Sequence, residues 1–187
     1  IDYIPNKKII ENVVKSDLFI TMTPTMKEKI KELFPDSSVN WVGHGSDIIS
    51  LDPEINVEKE IQQMHKDEII RSAQPIYSSD IIILNANNFW VDKNNSKTRK
   101  RFDITFKAFV ELLSKLDPET AKITKLWIHT NLESFFEMLS IEGISIKPYM
   151  NNLIFSKNTM TNKQLALMYK FCKISLQTSV SEGWSMT

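Results

Sequence analysis

Two short segments of the chain combine residue types that could bind a phosphorylated ligand. In the first, Arg99, Lys100 and Arg101 stand together. The apolar spacing that follows predicts a helix from Phe102, so these cations lie at a helix N-terminus. Such an end carries a partial positive charge and free N–H groups, and added cations make it a strong phosphate site. A solvated basic cluster is the alternative interpretation, and spacing alone does not separate the two.

The second segment is an acidic turn over residues 178–185. Glu182 and Gly183 follow a predicted strand there. A carboxylate in this place can accept hydrogen bonds from ligand hydroxyls, while glycine lets a ligand approach the backbone and the following amides can donate to phosphate. An ordinary surface turn is the alternative interpretation.

The three histidines are scattered, at His44, His65 and His129, and give no metal-ligand spacing. His129 is expected in a loop after a strand. A hydrogen-bonded structural role is the commoner one for such a residue, and contact with a ligand is the alternative. Because no Asp-x-Asp pair stands near a strand end, we predict no metal site.

The elements that must position these segments alternate between strands and helices. The unbroken apolar run 81–84 is typical of a strand buried on both faces of a parallel sheet. Further strands are predicted at 18–22, 39–42, 123–128, 153–155 and 174–178. Helices are predicted from a cap at Thr25 to Pro35, over 58–72, 102–116 and 132–139, and after a capping box at Thr161.

This alternation predicts an α/β fold, a Rossmann-like parallel sheet with flanking helices and right-handed crossovers. Ligands of such sheets bind beyond the carboxyl ends of the strands. The loops that we expect to carry function are 86–101, 129–132, 156–161 and 179–186.

Length and composition set further bounds. The 187 residues suit one domain, or one domain and part of another. A net charge of zero argues against a nucleic-acid binder, and a single cysteine excludes an internal disulfide or a Cys-based zinc site. Only 4 glycines occur, with no dinucleotide fingerprint and no P-loop. No apolar run approaches the ~20 residues of a membrane span. The chain opens on Ile1 and stops just after the acidic turn, so we expect a fragment.

Four segments together resemble the retaining GT-B glycosyltransferases of family 4 (group 1). Residues 39–47 read VNWVGHGSD and are similar to the family's hinge, "vipnGvD". Residues 97–109 resemble its "RKR-D---AF" segment, in the variant of viral-type members. Residues 165–172 and 179–184 resemble "LY--CD" and "S--EGFG". Each segment is weak alone, but their order and spacing agree over residues 18–187.

The resemblance implies two Rossmann-like domains with a nucleotide-diphosphate sugar between them. Residues 1–50 would end the N-terminal acceptor domain and include the hinge at His44 and Gly45. Residues 51–79 would be a linker or helical segment. Residues 80–187 would be the first half of the C-terminal, donor-binding domain.

The resemblance also implies roles for individual residues. Lys100 would bind the donor diphosphate, with Arg99, Arg101 and Asn88 beside it. Glu182 would be the catalytic glutamate and would contact the donor sugar together with Gly183, Trp184 and Ser185. The base would lie against Phe155, Ser156, Lys157, Thr130 and Asn131. No cofactor besides the donor is expected.

The sequence departs from the family pattern at several positions. The Gly-Arg after the first C-domain strand is replaced by residues 85–88, NANN. Lys173 stands for an aspartate and Ser185 for a glycine, and the second glutamate of E-x7-E would fall beyond the chain end. Alternatives are a non-catalytic domain that binds nucleotides or partners, and a receiver or flavodoxin-like module. The expected location is the cytoplasm, the host's if the protein is viral, and the acceptor stays open.

Overall fold

The computed structural model describes residues 18–21, 24–42, 51–87, 100–157 and 159–179. Contacts divide the chain into two compact units. One comprises 1–48 together with 181–187, and the other spans 49–180. The assignment of 1–50, 51–79 and 80–187 to parts of two catalytic domains stays a prediction.

The first unit contains a strand–helix–strand motif. Strand β1 (Phe19–Thr21) pairs in parallel with β2 (Val39–Trp41), and helix α1 (Pro24–Leu33) connects them. The predicted cap at Thr25 is wrong, because the helix already begins at Pro24. Proline favours this first helical position, since its missing N–H would have no helical partner there.

The second unit is built on a five-stranded sheet in the order β3-β6-β5-β4-β7. All pairings are parallel except that of β3 with β6, which is antiparallel. The strands are β3 (Ile70–Ser72), β4 (Ile81–Ala86), β5 (Thr124–Thr130), β6 (Leu153–Lys157) and β7 (Ile174–Ser175).

Helices cover both faces of this sheet, so the predicted α/β fold is confirmed. They are α2 (Val57–Lys66), α3 (Phe102–Lys115), α4 (Pro118–Ile123), α5 (Leu132–Ile141), α6 (Asn162–Phe171) and a 3-10 helix over Lys147–Asn152. One apolar core joins α2 and α6 to the sheet around the fully buried Trp127. The other joins α3 and α5 to the opposite face and includes Phe102 and Phe135. No helix of the described residues is both long enough and apolar enough to cross a membrane.

Several predicted boundaries are wrong, each for a local reason. The helix expected over 58–72 ends at Lys66, and β3 pairs instead with β6 at the sheet edge. Glu68, with φ of 56°, makes the turn between them. The strand expected at 123–128 begins only at Thr124, after the short helix α4, and continues to Thr130. β7 is shorter than expected. The bounds of α3 and the capping box at Thr161 are confirmed to within a residue.

Candidate ligand site at the carboxyl edge of the sheet

The carboxyl ends of β4 and β7 form the switch point of the sheet. From β4 the chain proceeds through α3 to β5 on one side, whereas α6 leads back to β7 on the other side. Crevices at such points are the usual ligand sites of open α/β sheets. Here Asn87 follows β4, and residues 176–179 follow β7.

A chain of hydrogen bonds crosses this edge. Asn87 Nδ2 donates to Asn85 Oδ1 at 2.9 Å, and Asn85 Nδ2 donates to Thr105 Oγ1 at 2.7 Å. Thr105 Oγ1 lies 2.8 Å from Thr178 Oγ1. Either hydroxyl can be the donor in this contact. The chain therefore ties β4, α3 and the segment after β7 into one polar network.

This network ends on the basic segment at the start of α3. The Thr178 hydroxyl lies 3.1 Å from the carbonyl oxygen of Lys100 and 3.2 Å from that of Arg101. Thr178 precedes Glu182 by four positions. The segment that leads to the predicted acidic turn is thus in direct contact with two residues of the predicted phosphate site.

Arg101 is engaged within its own segment. Its Nε and Nη2 donate to the two carboxylate oxygens of Asp103 at 2.9 and 2.8 Å. This bidentate hydrogen bond raises the pKa of Arg101 and lowers the pKa of Asp103. Arg101 also adopts the left-handed conformation, with φ of 44°, where it precedes α3. Since Asp103 balances its charge, Arg101 attracts an anion less strongly than an unpaired arginine would.

Three buried polar atoms near this edge have no hydrogen-bond partner among the described residues. They are Asn87 Oδ1, Thr130 Oγ1 and Ser179 Oγ. The backbone N–H of Asn87 donates to the carbonyl of His129 at 3.0 Å, which places Asn87 beside Thr130. Buried polar atoms are nearly always paired, because leaving one unpaired costs about 1–3 kcal/mol. Their grouping at the switch point is typical of a place where a ligand or water completes the bonding.

The residues expected against a base are mostly buried. Phe155 is 6% exposed and packs among aromatic rings of α5, and Ser156 and Thr130 are fully enclosed. The Asn131 side chain caps α5 by accepting from the backbone N–H of Ser134. Lys157 is exposed. The base-binding role stays a prediction for all five, and Lys157 is the one whose side chain is open to solvent.

His129 lies inside β5 and not in a loop, so the predicted placement is wrong. Its Nδ1 is 2.9 Å from Ser156 Oγ, and Trp127 Nε1 donates to the same oxygen at 2.8 Å. Burial lowers the pKa of His129 to about 4, so the ring is neutral at pH 7. Burial also raises the pKa of Cys172 to about 12, which makes that thiol unreactive.

Comparison with known proteins finds a similar solved structure but no matching sequence family. No family description matches the chain, and no curated protein matches it. Among solved structures it resembles the crystal structure of TarM, with a TM-score of 0.55 and 18% identity. The match covers 95% of this chain and 28% of TarM. TarM is a glycosyltransferase. The chain therefore shares the Rossmann-like fold of the matched part of TarM, and it spans about a quarter of the length of this relative.

The remaining predicted site residues lie outside the described part of the chain. They are Asn88, Arg99, Glu182, Gly183, Trp184 and Ser185, with the hinge residues His44 and Gly45. Within the described part, no group of three or more His, Cys, Asp or Glu side chains could hold a metal ion.

Sequence reasoning missed the polar network of Asn85, Asn87, Thr105 and Thr178. The spacing of Asn85 and Asn87 is a usable signal, because two polar residues at a period of two direct both side chains to one face of a strand. Nothing in the sequence distinguishes Thr105 from an ordinary helical residue. Its contact with Asn85 arises only because α3 packs on the sheet.

Proposed function

We propose that this chain is the donor-binding part of a glycosyltransferase, which moves a sugar from a nucleotide-diphosphate donor to an acceptor hydroxyl. The observation that carries the proposal is the contact of Thr178 with the carbonyls of Lys100 and Arg101. It joins the segment before Glu182 to the N-terminus of α3 at the switch point of the sheet. The likeness of the fold to TarM supports the same activity class.

The proposed chemistry follows from where charge develops. Glycosyl transfer leaves a nucleoside diphosphate, so negative charge grows on the leaving phosphate. Cations and helix amides held in position beforehand stabilise that charge without needing to reorganise. Lys100 and the first amides of α3 would supply these groups, while Glu182 would contact the donor sugar. Lys100 is the cation on which the proposal depends most, because the family resemblance places the donor diphosphate at this position. Metal independence and retention of the anomeric configuration belong to the same proposal.

The test uses the full-length protein and a variant of the proposed phosphate ligand. A thermal-shift series with UDP-, GDP- and ADP-sugars first identifies the nucleotide, and calorimetry then gives its affinity. Lys100→Ala is expected to weaken binding at least tenfold, since a charge-assisted hydrogen bond to phosphate contributes about 1.5–3 kcal/mol.

The matched control lies at the far end of the same helix. Lys115 is exposed and pairs with Glu111 at 2.6 Å, so Lys115→Ala removes one positive charge from α3 without touching its N-terminus. Its affinity is expected to equal that of the wild type. An unchanged affinity in Lys100→Ala, or an equal loss in both variants, overturns the phosphate assignment.

A further inference from the structure

The hydrogen bonds of Ser156 determine which nitrogen of the neutral His129 ring carries the proton. The indole N–H of Trp127 is a donor only, so Ser156 Oγ accepts from it. No acceptor for the Ser156 proton other than His129 Nδ1 is found in the described part of the chain. Ser156 therefore donates to Nδ1, and the ring carries its own proton on Nε2.

The Nε2–H is left without a partner among the described residues. His129 is 8% exposed, the second-last residue of β5 and directly opposite Ala86 of β4 and Ser156 of β6. This places an uncharged N–H donor of fixed orientation at the carboxyl edge of the sheet. Nε2 is not among the buried atoms that lack a partner, so this nitrogen is accessible at the edge, where water or a ligand can accept its proton.

We propose that His129 donates a hydrogen bond from Nε2 to an uncharged oxygen in the nucleoside portion of the donor, and that Ser156 and Trp127 are positioning residues that hold the required tautomer. The inference rests on the proposed function. A phosphate oxygen is the other possible acceptor, and an anion beside the ring would favour its charged form. The pyrophosphate measurement below separates the two acceptors.

Two substitutions separate the ligand role from the structural role. In His129→Gln the side-chain amide N–H reaches the former position of Nε2, so the bond to the ligand is kept. In His129→Asn the side-chain oxygen takes the position of Nδ1 and still accepts from Ser156, but the donor at Nε2 is lost. We expect the Asn variant of the full-length protein to bind the nucleoside diphosphate about fivefold to tenfold more weakly, and the Gln variant to bind within about twofold of the wild type.

Inorganic pyrophosphate distinguishes the two possible sources of the oxygen. If His129 contacts the nucleoside, the Asn variant binds pyrophosphate as the wild type does. An equal loss with pyrophosphate overturns the nucleoside assignment. Equal binding of the diphosphate by the Asn variant and the wild type, or loss only in the Gln variant, overturns the ligand role altogether.

Long-range ¹H–¹⁵N NMR spectra of the wild type test the tautomer without any variant. We expect the signature of Nε2–H in the free protein and a shift of that proton when the diphosphate is added. A proton on Nδ1 overturns the inference. If the wild type binds none of the nucleotides, the proposed function fails and this inference fails with it. If the wild type binds and the tautomer is Nδ1–H, only this inference fails.

Discussion

The neutral, buried ring of His129 makes a specific prediction for acid stability. Its pKa falls from an ordinary value of 6.5 to about 4 in the folded chain because burial disfavours the charged form. The unfolded chain therefore binds the proton more readily than the folded chain between these two values. Stability is fully present above pH 6.5 and declines as the pH falls toward 4, below which no further loss comes from this group.

The magnitude follows from the same difference in pKa. It corresponds to about 3 kcal/mol in all, of which about 2 kcal/mol is lost between pH 7 and pH 5. A loss of about 2 kcal/mol is a large part of the free energy of unfolding of a typical domain, which is about 5–15 kcal/mol. Since the cited cause is burial alone, without a charged partner, salt should change the effect little.

Urea denaturation of the wild type and His129→Gln at pH 7, 6 and 5 measures this effect. The variant keeps every other titrating group, so the difference between the two proteins isolates the histidine. The free energy of unfolding of the wild type should fall by about 2 kcal/mol more than that of the variant. Parallel pH profiles for the two proteins would refute the buried, neutral state of His129.

Three further predictions concern stability and use urea denaturation at pH 7. Lys125→Met leaves the buried carboxylate of Asp80 without its 2.7 Å ion pair, and should cost about 3–5 kcal/mol; a cost below 1 kcal/mol would contradict a buried pair. Thr161→Ala removes the capping box of α6 and should cost about 1 kcal/mol, whereas an unchanged stability would mean that the box contributes nothing. Gly143→Ala meets no neighbouring atom within 4 Å but must adopt a φ of +64°, so it should cost about 1 kcal/mol; a gain in stability would rule out that conformation.

Much of the fold could be predicted from apolar spacing. The run 81–84 indicates a strand with two covered faces, and β4 indeed contributes Ile82 and Leu84 to one apolar core and Ile83 to the other. The spacing of Phe102, Phe106 and Phe109 gives α3 to within one residue at its C-terminus, since these rings share one face of a 3.6-residue period.

Other features depend on tertiary contacts that periodicity does not contain. The apolar pair Ile69 and Ile70 suits the face of a helix as well as a strand, and only pairing with β6 decides the case. His129 and Thr130 appear polar enough for a loop. They extend β5 because His129 pairs with Ala86 of β4 and Ser156 of β6, and Thr130 pairs with Lys157 of β6.

The location of the candidate site could be predicted from the sequence, but the hydrogen bonds and the ion pair within it could not. The carboxyl edge follows from the alternation of strands and helices, and Lys100 and Arg101 stand at the start of α3 as expected. That Asp103 neutralises Arg101 does not follow from residue type, and neither does the left-handed backbone of Arg101, which a non-glycine residue seldom adopts. The engagement of Ser156 by Trp127 likewise follows only from the register of β5 and β6.

A crystal structure of the full-length protein with its nucleoside diphosphate tests the central claim most directly. The account predicts the diphosphate at the carboxyl ends of β4 and β7, within hydrogen-bonding distance of Lys100 and the first amides of α3. A diphosphate bound at the amino ends of these strands, or on the outer surface of a flanking helix, would contradict it.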